Sequence, residues 1–340
     1  MGVVSVSRGF RMAYAELNRY IEPTEGNYND AWRRVFGRLG DYTQIILQAL
    51  NLRPKEVIFW GQTEKCLLIR LSLPEKHLIL RLAPENDLTS ELYFGREMAN
   101  HRLPAARITH FDLKRGLVPF SYLVEDYVGG IKADQLETSH LLQTLARQVG
   151  RTLRQMHRIE APGWEHPNPT GRWLTPDWPT TLLHLHTTLA PETLATPIFG
   201  PEIQAHLKAL LADPLLAWAQ PRLLHGNLGP AAVCCTTGDQ HVHLEALIAP
   251  GKVVAGDGLF DLAWGLSLLY PQAWRTGLLQ GYTLAAPLSL AEQQRLHLLQ
   301  LLVAYWQTCQ AILKVQPSQD LSAQTLKLFQ QSKKGIAQYE

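Results

Sequence analysis

The hydrophobic period of this chain changes several times, and each change marks an element. Arg11 to Ile21 carries a short helical pattern, which Pro23 to Gly26 interrupts. Asn29-Asp30 can cap a helix from Ala31 to about Leu50, with Trp32, Val35, Phe36, Leu39, Ile45, Ile46 and Ala49 favouring one face. From Val57 the reading turns to strands: V-I-F-W-G, C-L-L-I-R-L-S-L and H-L-I-L-R-L-A, separated by Gln62 to Lys65 and Pro74 to Lys76. Gly129-Gly130 marks a boundary, after which helical spacing dominates. Leu141 to His157 has apolar positions at helical spacing, while 161–181, rich in Pro, Trp and Gly, reads as an ordered loop. Further helices are expected at about 201–218, 271–282 and 290–314, followed by a polar, frayed C-terminal helix.

Within that half, Leu223 to Ala263 is the stretch with the most specific pattern. It runs L-L-H-G-N-L-G-P-A-A-V-C-C, turns at Thr236 to Gln240, and returns on alternating His241 to Ile248. Then follows A-P-G-K-V-V-A-G-D-G-L-F-D-L-A. The stretch predicts two functional loops joined by a short hairpin.

This pattern resembles the aminoglycoside phosphotransferase and fructosamine kinase group of small-molecule kinases. Members show H-G-D-L-H-P-G-N followed by L-I-D-(F/P)-G-D-A-x-x-G-D-P-x-x-D-L-A. His225, Gly226, Leu228 and Pro230 fit the first loop; Leu247, Ile248, Gly251, Gly256, Asp257, Asp261, Leu262 and Ala263 fit the second. The chemical positions do not fit. The resemblance puts the catalytic base at Asn227, one metal ligand at Ala232 and the other at Ala249. Phosphoryl transfer needs a carboxylate to orient and deprotonate the acceptor hydroxyl, and oxygen ligands to hold magnesium on the phosphates. An amide has no anionic form to act as base, and alanine offers no ligand atom. His225, Asp257 and Asp261 are implied to brace the loops.

The resemblance covers roughly residues 55–310 and implies an α+β, two-lobed protein kinase-like fold. Its N-lobe would be a five-stranded antiparallel sheet and its C-lobe mainly helical, joined near Glu125–Gly130. The expected organisation is an N-terminal helical extension at 1–54, an N-lobe at 55–127 and a C-lobe at 128–340. R-L-P-A-A-R-I-T-H-F-D resembles the segment leading into the fourth strand, and S-Y-L-V-E-D-Y-V-G-G the hinge. Glu125 to Tyr127 would supply backbone contacts to adenine. Arg81 stands where the family has a phosphate-pairing lysine, with Glu91 as its expected ion-pair partner and Glu97 as the fallback. The phosphate loop is reduced to G-Q-T-E-K, where Glu64 adds negative charge, so a plain hairpin is expected. Trp164, Arg172 and Trp173 fall where relatives border the acceptor pocket, and packing is an equal reading for them.

Composition removes other classes. A net charge of +2 from 32 basic and 30 acidic residues argues against a nucleic-acid partner. No apolar run approaches the roughly 20 residues that span a bilayer, so no membrane partner is expected. The start M-G-V-V-S-V shows neither a signal peptide nor, with Val6, a myristoylation pattern. Cys66, Cys234, Cys235 and Cys309 lack C-x-x-C spacing and read as buried thiols of a reducing compartment, the cytoplasm. His184/His186 and His241/His243 alternate; on strands each pair would share a face, but no carboxylate or cysteine stands at ligand spacing, so no metal is expected.

The expected function is a non-catalytic, pseudokinase-like binding or scaffold protein, with a protein or small-molecule ligand in the cleft. ATP could still bind there, without magnesium. The alternative is an ATP-dependent phosphotransferase acting on a sugar, amino sugar or amine hydroxyl with atypical catalytic residues. A third class, other chemistry on the same scaffold, would need acidic residues converging from outside the standard positions.

Overall fold

The computed structural model describes residues 14–18, 30–63, 65–85, 87–190, 192–313 and 323–330. Pro23 to Gly26, Asn29 and Glu64 lie outside the described residues, as does most of the 11–21 helical pattern. The chain divides into two compact units, one comprising Met1–Gly129 with Asn168–Arg172, the other Gly130–Pro167 with Trp173–Glu340.

The first unit is built on a five-stranded antiparallel sheet. Its elements are α1 (Tyr14–Leu17), α2 (Asp30–Phe36), α3 (Leu39–Ala49), β1 (Glu56–Gln62), β2 (Leu67–Ser72), β3 (His77–Ala83), α4 (Thr89–Asn100), β4 (Ile108–Asp112) and β5 (Ser121–Asp126). The sheet order is β1-β2-β3-β5-β4, with every neighbouring pair antiparallel. The period of two places Leu67, Ile69, Leu71, Leu78, Leu80, Leu82, Tyr122 and Val124 in one core with Leu17, Trp32, Val35, Phe36, Leu39, Ile46 and Leu47. The helices before residue 54 therefore bury their apolar faces on this sheet. The single helix expected from Ala31 to Leu50 is two, parted at Gly37-Arg38.

The opposite face carries a second, smaller core of Cys66, Leu68, Ile79, Ala83, Leu88, Leu92 and Leu123. Trp60, Ile108, Leu113 and Tyr127 are only partly buried against it. Between Phe59 and Gly61 the β1–β2 register shifts, so Trp60 is the extra residue of a β-bulge.

The second unit is mainly helical. It comprises β6 (Ile131–Lys132), α5 (Ser139–Met156), β7 (Trp164–Pro167), β8 (Trp173–Thr175), α6 (Trp178–Leu189), α7 (Glu192–Leu211), β9 (Arg222–Leu223), β10 (Val233–Thr237), β11 (Val242–Leu247), β12 (Ala255–Gly256), α8 (Gly258–Gly265), α9 (Gln272–Tyr282) and α10 (Leu290–Leu313). Residues 323–330 are also helical. Leu142, Leu145, Ala146, Val149, Leu153 and Met156 form the buried stripe of α5. The backbone of α9 comes so close to α5 that a methyl on Gly150 or Gly281 would fall on the facing chain.

Two expectations are corrected here. The 161–181 segment is not a loop throughout: β7 and β8 pair as a hairpin, and α6 starts at Trp178 with Asp177 accepting from Thr180 N–H. The helix expected at 201–218 runs instead from Glu192 to Leu211, kinked at Gly200, and a 3-10 turn follows at Pro214–Leu216. No helix among the described residues is long and apolar enough to cross a membrane.

Candidate functional site

The two loops of the 223–263 stretch are joined by the β10–β11 hairpin, in which Val233 opposes Leu247 and Thr237 opposes Val242. Leu223, in β9, pairs with Ala255 in β12, which brings the chain before the first loop against the chain after the second. Leu224 N–H then donates to Val254 C=O at 2.9 Å, and Gly251 N–H to His225 C=O at 2.7 Å.

His225 is fully buried. Its Nε2 lies 3.0 Å from the Ile248 carbonyl, an acceptor only, so Nε2 carries the proton. Nδ1 then accepts from Asn227 N–H at 3.3 Å. Gly226 turns the chain with φ +70°, where a side chain would fall on the Val253 carbonyl. Only glycine combines that dihedral with that approach.

Asp261, in the first turn of α8, anchors this turn from below. Its Oδ2 accepts from His225 N–H at 2.6 Å and its Oδ1 from Gly226 N–H at 2.7 Å. His157 Nε2 stands 3.2 Å from Oδ2, and His157 Nδ1 is 3.0 Å from the Tyr282 hydroxyl. Burial pushes that phenol up to about 12. Asp257 caps α8 by accepting from Leu259 N–H at 3.0 Å, and its other oxygen is 2.7 Å from Arg295 Nε. Arg295 in turn lies over the Trp218 ring at 4.3 Å. Burial raises the Asp257 carboxyl above the usual range, with Arg295 opposing it. Both aspartates are thus occupied with backbone and structural partners.

The three chemical positions sit on this frame without their chemistry. Asn227 is exposed, and its Nδ2 makes a long 3.5 Å contact to the Ala249 carbonyl. Ala232 closes a 3-10 turn and is 5% exposed, with its carbonyl accepting from Ile248 N–H at 2.9 Å. Ala249 has φ +53°, a left-handed conformation costing about 1–2 kcal/mol for a residue with a Cβ and one in which Asp and Asn are enriched. The backbone keeps a shape suited to a short polar side chain while the side chain is a methyl.

In the first unit Arg81 pairs with Glu125, not with Glu91. Arg81 Nη2 and Nε lie 2.6 Å and 2.7 Å from Glu125 Oε1, and both side chains are largely buried. Ladder register explains the choice. Arg81 opposes Leu123 and Ile79 opposes Glu125, so Arg81 and Glu125 are diagonal neighbours on one face, within reach of a long side chain. Burial works against the charge on Arg81, and the groups around it, Glu125 foremost with Cys66 and Glu91, together more than offset that. Glu91 instead faces Lys65 at 3.6 Å, and burial pushes its carboxyl up. Glu97 faces His101, just past the end of its own helix, at 3.9 Å. The expected hinge contacts are also engaged: Asp126 N–H donates to Arg107 C=O and Tyr127 N–H to His77 C=O.

The histidine pair at 184 and 186 lies on a helix, so the two rings diverge. His184 Nδ1 is 2.9 Å from buried Glu165, while His186 stacks on Tyr305 and takes a hydrogen bond from Trp306 Nε1. The D-W-P run at 177–179, an N-cap with proline in the first turn, was the signal for that helix. Trp164 is buried and packs on Trp178; Arg172 is exposed in the β7–β8 turn, and Trp173 packs over Gly163. Among the described residues no group of three or more His, Cys, Asp or Glu is placed to hold a metal ion.

The model of the phosphotransferase enzyme family APH matches residues 69–297. Among solved structures, the chain is similar to a thermostable mutant of aminoglycoside phosphotransferase APH(4)-Ia in ternary complex with AMP-PNP and hygromycin B. The TM-score is 0.61 at 14% identity, covering 84% of this chain and 95% of that one. It is also similar to APH(2")-IIIa in complex with GDP and kanamycin, with TM-score 0.58 at 14% identity over 87% of this chain and 99% of that one. No curated protein matches the chain. The family match spans most of the sheet and the whole loop pair, and the fold agrees with it: the chain belongs to the APH phosphotransferase enzyme family.

Proposed function

We propose that this chain is a pseudokinase-type member of its family, a non-catalytic binding or scaffold protein. The observation that carries the reading is Ala249. Its backbone holds the left-handed conformation at φ +53° beside buried Ala232, yet neither residue offers an oxygen beyond the main chain. Magnesium therefore does not fit this pair of loops, and no phosphoryl-transfer step can be drawn through it. Asn227 cannot take up a proton as a carboxylate would, and its amide turns toward the Ala249 carbonyl. One such loss could be compensated from nearby. Glu245, in the hairpin, accepts from Thr236, and the two carboxylates of the second loop, Asp257 and Asp261, are committed to Arg295 and Leu259 N–H and to the His225–Gly226 turn.

What persists is the frame, which keeps the loops folded as a surface for a protein or small-molecule ligand. The test is isothermal calorimetry of ATP with and without magnesium, run beside a phosphate-transfer assay on aminoglycoside and sugar acceptors. No magnesium-dependent affinity and no transfer are expected. Tight magnesium-dependent binding with transfer to any acceptor returns the chain to the enzymes.

A further inference from the structure

The basic charge of this near-neutral chain is concentrated in one short segment of the first unit. Residues 96–115 carry Arg96, Arg102, Arg107, Lys114 and Arg115 against Glu97 and Asp112, an excess larger than the +2 of the whole chain. All five cations are exposed. The two carboxylates are occupied: Asp112 accepts from the N–H groups of Lys114, Gly116 and Leu117, and Glu97 faces His101. Arg115 reaches the Glu85 carbonyl at 3.4 Å. Among the described residues no carboxylate pairs with Arg96, Arg102, Arg107 or Lys114. Arg102 and Arg115 also stand at φ +55° and +57°, a left-handed conformation suited to glycine or asparagine and strained for a long side chain.

These cations surround an open strand edge. β4 is the last strand of the sheet and, among the described residues, is bonded to β5 alone. Ile108 opposes Glu125 and His110 opposes Val124, so Thr109 is an extra residue, a bulge. The bulge resets the alternation, and Ile108 and Phe111 both project to the side of Leu123. The helix α4 lies on that side: a Cβ on Gly95 would meet Ile108 Cδ1 at 2.7 Å, and the Arg96 guanidinium carbon is 4.6 Å from the centre of the Phe111 ring. Phe111 and Leu117 are exposed. The edge therefore has Arg96 on its α4 side, Arg107 just before its first residue and Lys114 two past its last.

Such an edge discriminates among anions. Its backbone N–H and C=O groups suit another extended chain, which offers both donors and acceptors, better than a phosphate, which only accepts. A second copy of β4 would set these cations against their like. Charge complementarity leaves an acidic strand of a different protein.

We propose that the β4 edge docks an acidic, extended segment of a partner protein, added as a sixth strand with its carboxylates on Arg96, Arg107 and Lys114. The proposal rests on the binding reading only in supplying its partner. The surface belongs wholly to the first unit and uses neither nucleotide nor the 223–263 loops, so ATP calorimetry tests that reading separately.

The probe is a phage-displayed library of random peptides of about twelve residues, selected on the full chain. Enriched peptides are synthesised and their affinity is measured by fluorescence anisotropy. Expected are peptides with several Asp or Glu around β-branched or aromatic residues, bound at least about tenfold more weakly by Arg96→Gln/Arg107→Gln and weakened by added salt. Arg53→Gln/Lys55→Gln removes the same charge from exposed positions just before β1 and should retain binding. A proline at the centre of the peptide, which cannot donate to a ladder, should abolish it. Both double variants are checked for an intact melting transition. Vesicles of about one third phosphatidylserine in phosphatidylcholine and a single-stranded oligonucleotide serve as competitors. Enrichment of peptides without acidic residues, binding indifferent to Arg96→Gln/Arg107→Gln, equal loss in both double variants, or tolerance of the proline would overturn the proposal. So would displacement by vesicles or oligonucleotide more readily than by unlabelled peptide.

Discussion

Arg81 and Glu125 stand 2.6 Å apart on adjacent strands, both side chains nine-tenths or so withdrawn from solvent. Such a pair is strongly coupled, because removing one member strands the other charge in the interior. Arg81→Gln alone should destabilise by about 3–5 kcal/mol. The double variant Arg81→Gln/Glu125→Gln should recover much of that loss. A double-mutant cycle by urea unfolding reads the coupling; purely additive effects would mean that the pair does not hold the sheet.

Asp261 predicts a second asymmetry. Asp261→Ala leaves the His225 and Gly226 N–H groups without acceptors, each worth about 1–3 kcal/mol when buried and unsatisfied. The melting temperature should fall by several degrees. Asn227→Ala, at an exposed turn position with one long contact, should change stability by less than about 0.5 kcal/mol. Thermal denaturation of both variants is the measurement, and a costlier Asn227 loss would point to a role beyond the one assigned.

Glu91 sets a pH dependence with an unusual sign. Burial raises its carboxyl above its ordinary value of 4.5, so the folded state holds this proton more tightly than the unfolded chain. Its contribution to stability is therefore full below the unfolded value and declines as pH rises through the folded one. Glu91→Gln cannot ionise and should flatten that decline. Urea unfolding of both proteins between about pH 4 and about pH 8 should show the variant gaining on wild type toward neutrality. A gain that appears only at the acid end would refute the sign.

The turn at Gly226 tolerates nothing larger. Its positive φ alone costs an alanine about 1–2 kcal/mol, and the added methyl also meets the Val253 carbonyl. Gly226→Ala should thus melt well below wild type. Gly238→Ala, at the hairpin turn with open space around the new carbon, should stay within about 0.5 kcal/mol of it.

Restoring catalysis requires all three groups. Asn227→Asp supplies a base but no metal ligand, so it should show no phosphate transfer to aminoglycosides or fructosamines. Asn227→Asp combined with Ala232→Asn and Ala249→Asp is the fair test, helped by the ease with which aspartate adopts the Ala249 conformation. Transfer by the single variant would contradict the account of the loops.

Much of this was legible in the sequence because it is local. Alternation at 57–82 gave strands β1 to β3, and the run from Leu223 to Ala263 gave the hairpin and its loops, since a period of two and a turn at fixed spacing leave few alternatives. The same stretch showed that Asn227, Ala232 and Ala249 lack reactive groups, for side-chain chemistry needs no fold to be read. The buried role of Asp261 followed from the resemblance of its motif. Pairing across strands was another matter. Which glutamate Arg81 meets depends on the β3–β5 register, set by how two ladders and a core align over more than forty intervening residues, whereas the family resemblance pointed to Glu91. His184 and His186 alternate as they would on a strand, yet the Asp177 cap and the packing of Trp178 make that segment a helix. The bulge that turns Trp60 over Arg70 likewise exists only because β1 must match β2 on one side while its own residue count exceeds its partner's. Tertiary register, not residue identity, decided which charges are paired and which remain available.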